Sequence, residues 1–394
     1  MTIRHLYPAV EPSLNLDFAN SKKLDSRITF TRASTGTYTD ESGIIRTAAA
    51  NEARFDHDSD GNSLGLLIEE SRTNSMSYSN EFSTNWSFGG AGVGVLTPNA
   101  AIAPDGTWSA SKLAAEETHW LTRGTPLSVA SNTFVKFNLS TGTFDSVIAT
   151  SSATYGITKA GNGWYRVHLT VSNITFSVYA KAGELSFIAI QFQGSSAYIY
   201  SADGGAGNTT QGIYIWGAQL ETGSFPTSYI PTTSSTVTRS ADVASMTGTN
   251  FSSWYNQSEG TFLTNKSGLN GNTSPTPCIY SLHSGGNANS YDPNIRHANA
   301  DAFAVFSSGT YSFLTSALPS TRHAFALEQN NFAVSAGGAA PVTDTSGALP
   351  AVDSLFFNVY YYAPQAAESG AYTISRLTYY PVRLPDATLQ ALTL

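Results

Sequence analysis

The stretch Trp164–Lys181, WYRVHLTVSNITFSVYAK, decides the fold class. Tyr165, Val167, Leu169 and Val171 take every second position, and Ile174, Phe176, Val178 and Ala180 do the same. Side chains alternate between the two faces of a strand, so each set turns one apolar face inward. The pattern spreads in both directions. Val135, Phe137 and Leu139 alternate before it, and Ile188, Ile190 and Phe192 after it. Gln211–Leu220, QGIYIWGAQL, is apolar on both faces and reads as a central strand. Short strands with turns such as Lys159–Gly163 predict a β-sandwich over 81–222, most simply a jelly roll.

The flanking regions carry the same signal more sparsely. In residues 1–80, Asn15–Ala19, Ile28–Ala33 and Ile44–Thr47 are short strands, with a turn at Tyr38–Gly43. Their apolar runs are too few for a core, so an extended N-terminal arm is expected, lying on the next domain or on a neighbouring chain. Residues 223–248 read as a linker, because Phe225-Pro226, Ile230-Pro231 and the Thr/Ser run after them cannot sustain a helix. Residues 249–394 return to strand patterning at Cys278–Leu282, Phe303–Phe306, Tyr311–Leu314, His323–Leu327, Phe332–Val334, Leu355–Tyr360 and Tyr372–Tyr380. A second sandwich is expected there. Pro385–Leu392 is the one convincing helix, with Pro and Asp in its first turn.

Bulk composition narrows the function classes. A chain of 394 residues calls for two or three domains. Charged residues make up 12%, about half the usual ~25%, and Gly, Ser, Thr, Asn and aromatic residues take their place. That suits an all-β protein with a hydroxyl and amide surface. The net charge of −8 argues against nucleic acid, which needs clustered Lys and Arg, and against an anionic membrane. The single cysteine, Cys278, allows no intrachain disulfide. Neither an apolar targeting segment nor a membrane-spanning run is visible. Release by lysis is the expected route out of the cell.

Charge concentrates in Leu64–Trp86, LGLLIEESRTNSMSYSNEFSTNW, where Glu69, Glu70, Arg72 and Asn74 follow an apolar entry. Neighbouring strand residues face opposite ways. Glu69 and Glu70 therefore do not form a carboxylate pair on one substrate, whereas Glu70 and Arg72 share a face and can pair. The preferred reading is a structural clasp between arm and jelly roll, with catalysis as the alternative.

Asp56-His-Asp-Ser-Asp-Gly61 has the alternating oxygens of a calcium loop, on Asp56, Asp58 and Asp60. An EF-hand would place Glu at position 67, which is Leu, so a plain Asp/Gly turn fits better and calcium stays the alternative. No cofactor is otherwise expected. The seven histidines show no HxH or HExxH spacing for zinc. Trp164 falls out of phase with Tyr165/Val167/Leu169, so it is a candidate for an exposed sugar-stacking face. Tyr361, within Tyr360–Tyr362, is a candidate binding rim. Core or intersubunit packing is the competing reading for each aromatic.

Several long motifs carry a resemblance. Ile28–Tyr38, Ala48–His57 and Gly65–Asn74 resemble the N-terminal signature of tailed-phage fibre and head-spike proteins. Gly212–Glu221 with Ser224–Pro231 resembles the end of their carbohydrate-binding-module-like jelly roll, and Ile374–Leu392 the close of their concanavalin-A-like domain. One departure stands out. In the family, the segment like Ile174–Gly183 precedes those like Phe137–Thr143 and Gly161–Arg166. Here it follows them, either because two strand groups have exchanged order or because the sequence is shuffled there.

The resemblance implies an arm (1–80), a jelly roll (81–222), a linker (223–248) and a concanavalin-A-like sandwich (249–394). It also implies a non-enzymatic virion protein: a fibre or spike, usually a homotrimer, attached to capsid or tail proteins and binding host-surface polysaccharide. A capsid decoration or tail component without a receptor is the alternative. A glycan depolymerase would need two acids facing one cleft, which the adjacent Glu69 and Glu70 do not supply.

Overall fold

The computed structural model describes residues 8–83, 86–90, 95–114, 119–148, 153–201, 210–270, 278–284, 294–298, 302–307, 310–316, 320–357 and 370–394. Among them the chain is all-β, with every strand pair antiparallel and three helices of seven residues or fewer. The last of these, Asp386–Leu392, starts at Pro385 and carries Asp386 in its first turn. Its Leu389 and Leu392 pack on the alanines Ala324, Ala326 and Ala333 of the sheet beneath.

The jelly-roll region forms two facing sheets. One runs in the order Thr154–Gly161, Trp164–Val171, Ile174–Lys181, Ile213–Thr222, Ala110–Ala114, Val95–Ala101. The other pairs His119–Asn138 with Thr143–Ile148, Phe187–Ser201 and Ser87–Gly90. Val135, Phe137, Val167, Leu169, Phe176, Val178, Ile188 and Ile190 meet between them, so the period-two sets point where alternation sends them. Ile213–Thr222 is an interior strand buried on both faces.

The second sandwich is assembled from both ends of the chain. Its larger sheet runs Val342–Asp344, Phe332–Ala336, Arg322–Glu328, Glu259–Asn270, Ala371–Tyr380, Ser63–Glu69, Arg54–His57. Leu14–Asp17 pairs further along Ala371–Tyr380, with Leu16 opposite Leu377. The facing sheet starts with Thr29–Thr31 and Val243–Thr247, then Ser354–Phe357 and Cys278–His283. Leu14, Leu16, Phe30, Leu66 and Ile68 enter one core with Phe262, Leu282, Phe325, Phe357 and Ile374.

Residues 1–80 therefore do not stand apart as an arm. Leu14–Asp17, Thr29–Thr31 and Ser63–Glu69 complete the C-terminal sandwich by pairing with strands hundreds of residues away, and Arg54–His57 adds to its edge, whereas the hairpin Gly36–Thr39/Ile45–Ala48 forms a small sheet of its own. The expected linker also changes character. Tyr229 and Ile230 are buried, Val237–Arg239 pairs with Arg72–Asn74, and Val243–Thr247 belongs to a sheet. Its middle residues, Thr233 to Thr236, run exposed and outside any strand.

The expectation of an exposed Trp164 is corrected. Trp164 is buried at 2% exposure. It does face away from the sandwich core, but that outer face is covered by a further cluster with Ile45, Ala103, Tyr179, Trp216 and Tyr229. The hairpin Gly36–Thr39/Ile45–Ala48 and the Tyr229 segment lie over it; the Ile45 N–H donates to the Pro104 carbonyl at 2.9 Å. Trp86 and Trp254 are core residues too.

Candidate functional site

The motifs that looked chemically active converge on a buried ionic junction. Arg32 follows the strand Thr29–Thr31, Arg54 opens Arg54–His57, Glu69 ends Ser63–Glu69, and Arg239 and Asp242 flank the step between Val237–Arg239 and Val243–Thr247. All five side chains are at most 2% exposed. Asp242 accepts from Arg32 Nη1 at 3.0 Å on Oδ1, and from Arg54 Nη2 and the Glu69 N–H on Oδ2. The Glu69 carboxylate accepts from the Ser228 N–H at 2.7 Å and from Ser228 Oγ at 2.6 Å. It lies 2.8 Å from Arg54 Nη1 and 3.5 Å from Arg239 Nε.

Burial alone would push the Glu69 carboxyl up. The Arg239 and Arg54 charges and the Ser228 hydrogen bonds outweigh it and hold the group at about 2. Glu69 is therefore a committed anion with no proton to donate near neutral pH. The three arginines also bind carbonyls: Arg32 those of Ser34 and Ala49, Arg54 that of Thr37, and Arg239 that of Ser240.

Glu70 and Arg72 sit next to this centre, and they form an ion pair through Arg72 Nε and Nη2. Arg72 also donates to the Thr222 carbonyl at the end of the jelly roll's central strand, and its guanidinium lies 4.7 Å from the Phe225 ring centre. Gly223, at φ +147°, leaves the space the guanidinium passes through; a Cβ there would collide with it. Asn74, fully buried, donates to the Ala218 and Ile230 carbonyls and accepts from the Met76 and Leu220 N–H groups. These groups tie the C-terminal sandwich to the jelly roll.

The three aspartates of the calcium reading are not drawn around one point. Among the described residues, no three His, Cys, Asp or Glu side chains could hold one metal ion. Asp58 instead caps its turn, accepting from the Asp60 and Asn62 N–H groups at 2.9 Å each. Asp56 accepts from the Thr39 N–H at 2.7 Å, and Asp60 is exposed. The short side chain of Asp58 reaches its own turn backbone more readily than a shared ion. Tyr361 lies outside the described residues.

Beside the junction is a cavity of about 420 Å³. It is bounded by the N-terminal hairpin, the strand Arg54–His57, the jelly-roll edge, residues 226–229 and the start of Ala371–Tyr380. Burial pushes the Asp56 carboxyl on its wall up to about 6, with the Glu69 charge adding and the Thr39 hydrogen bond and Arg54 opposing. His57, 7% exposed, engages the Thr39 carbonyl through Nδ1 at 3.0 Å, and its Nε2 is buried without a partner.

Sequence reasoning found Glu70 and Arg72 but missed Arg32, Arg54, Arg239 and Asp242 as one unit. A signal was available: in a chain with so few charges, these residues cluster within a few short motifs.

No family model matches the chain, and no curated protein matches it. Solved structures do resemble it. The Ruminococcus gnavus IT-sialidase CBM40 aligns with a TM-score of 0.29 at 18% identity, over 35% of this chain and 84% of that one. The same module bound to α2,3 sialyllactose gives 0.28 at 17% identity, over 35% and 84%. The Trypanosoma rangeli sialidase in complex with sialic acid gives 0.28 at 11% identity, over 73% of this chain and 53% of that one. At such low scores these likenesses assign no function.

Proposed function

We propose that the chain is a non-enzymatic structural protein of a tailed-phage virion, a fibre or spike that projects from the particle and engages host-surface glycan. One observation carries the reading. The segments that resemble virion proteins, 28–38, 48–57, 65–74 and 224–231, supply Arg32, Arg54, Glu69, Glu70, Arg72 and Ser228 to one buried junction. A chain poor in charge spends its charge on locking sandwiches together. Such locking suits a particle that must survive outside a cell without disulfides.

The state of the carboxylates supports the non-enzymatic part. A glycosidase needs an acid and a second free carboxylate across one cleft. In the cavity Glu69 is bound by Arg54 and Ser228 and Asp58 by its turn, which leaves Asp56 alone. A capsid decoration without a receptor is the second reading, favoured by the same junction.

Antibody raised against the purified chain and applied to virions from a lysate tests the proposal. Gold at a few sites on the tail or a vertex supports a fibre or spike, and regular label over the capsid supports decoration. Particles bearing none overturn the virion reading. Oligosaccharide released from host capsule by the purified chain would overturn the non-enzymatic part.

A further inference from the structure

The cavity beside the junction is not needed to explain the junction. Its volume of about 420 Å³ falls in the lower part of the ~300–1,000 Å³ range of small-molecule sites. Tyr38 lines it half-buried and offers an aromatic face for a ring to lie on, while the other tyrosines of the lining, such as Tyr179 and Tyr372, are packed into the cores behind it. Polar groups stand among them. Asp56 brings a half-buried carboxylate, and Thr39, Thr158 and Ser228 bring hydroxyls.

Two lining residues carry buried polar atoms without a partner. In the neutral ring, Nδ1–H directed at the Thr39 carbonyl makes the His57 Nε2 an acceptor, and that atom is buried without a partner. Arg166 donates through Nη1 to the Thr227 carbonyl and through Nη2 to Ser177 Oγ, while its buried Nε–H has no acceptor. Buried polar atoms are normally satisfied, so an unfilled acceptor and an unfilled donor at one polar hollow point to a missing partner.

The required partner both donates and accepts hydrogen bonds and has an apolar face. Asp56, Asp58 and Glu69 share the wall with Lys159 and Arg166, so opposite charges are balanced there and a neutral ligand suits it, and the polar lining disfavours a hydrocarbon. A sugar ring meets both conditions. A wider groove of about 870 Å³ shares Tyr38 and His57 with the cavity and runs on past Leu24, Glu52 and Phe55. The strand Arg54–His57 turns Asp56 to the cavity and Phe55 to the groove, so the two hollows adjoin across this strand.

We infer that this junction cavity binds the terminal ring of a neutral glycan. The inference deepens the glycan-binding part of the proposed function and rests on that part alone. It replaces the candidate face at Trp164, which is buried.

The test uses the full chain and saturation-transfer NMR with titration. The probes are methyl glycosides of glucose, galactose, mannose and N-acetylglucosamine, with sialyllactose as an anionic counter-probe. At least one neutral glycoside is expected to bind. Thr158→Trp, at an exposed position on the cavity rim, is expected to weaken it tenfold or more by filling the space. Asp56→Asn keeps an acceptor for the Thr39 N–H while removing the charge, and a comparable loss is expected. Trp108→Ala, an exposed aromatic outside the cavity lining, should leave binding unchanged.

A single cooperative thermal transition no lower than that of the parent chain shows that each variant has folded. Full affinity in folded Thr158→Trp overturns the site. No binding by any neutral probe, or preference for sialyllactose, overturns the ligand class. Antibody labelling of virions is read independently, so failure here leaves the virion reading standing.

Discussion

The two sandwiches of this chain use the same kind of strand but reach their cores by opposite routes. The jelly roll closes on itself from one continuous stretch, and neighbours in the chain such as Trp164–Val171 and Ile174–Lys181 are neighbours in the sheet. The C-terminal sandwich is discontinuous. Its strand Ala371–Tyr380 takes Leu14–Asp17 and Ser63–Glu69 end to end as partners. The first needs only an apolar core. The second must hold distant segments in register, and the buried ionic junction lies where those segments meet. Ion pairs with fixed hydrogen-bond geometry discriminate between registers better than apolar contact does, at the cost of desolvation.

Breaking the junction should therefore separate the two. Asp242→Ala leaves Arg32 buried without its carboxylate and Arg54 with Glu69 alone, and a loss of about 3–5 kcal/mol is expected. Urea unfolding measures it, and hydrogen exchange should show the C-terminal sandwich opening while Ile174–Lys181 keeps its protection. A loss below ~1 kcal/mol would mean the junction does not hold the register.

Core truncations sharpen the same contrast. Leu16→Ala and Leu169→Ala, each fully buried, are expected to cost about 2–5 kcal/mol. The first should weaken exchange protection in Ala371–Tyr380 and the second in Ile174–Lys181. Equal effects on both sandwiches from either change would show that they unfold as one unit.

Acid should act through the junction. The Glu69 carboxyl is lowered from 4.5 to about 2 on folding. Its contribution is thus present above pH ~4.5 and is lost as pH falls through ~2, up to about 3 kcal/mol. Asp56 acts with the opposite sign: its carboxyl rises from 3.8 to about 6, so folding weakens as pH climbs through that window. Urea midpoints between pH 3 and 8 should show both limbs, and Asp56→Asn should remove the upper one. Persistence of that limb in the variant would assign it elsewhere.

The smallest effect is expected from Arg46→Ala, which removes an exposed pair with Asp40. A change of ~0–1 kcal/mol is expected, and a larger one would mean that the N-terminal hairpin depends on its surface charges.

What was legible follows the range of the interaction. Val167, Leu169, Phe176 and Val178 were read correctly as an inward set because alternation is a property of adjacent residues. Trp164 was misread because facing away from one core does not tell whether a second layer covers that side. Glu70 and Arg72, two positions apart, could be placed on one face and are paired. Arg32 and Asp242, 210 residues apart, share no local pattern that predicts their contact.

From sequence alone came the all-β class, the strands of the jelly roll, the C-terminal helix and the facing of Glu70 toward Arg72, since backbone periodicity and chain proximity set these. The tertiary structure alone decided that the N-terminal strands complete a sandwich begun near residue 243, that three arginines and two acids meet out of water, and that a cavity opens beside them. Each of those depends on burying the same apolar runs against distant partners. The free energy of that burial belongs to the assembled sheets and cannot be assigned to any one stretch.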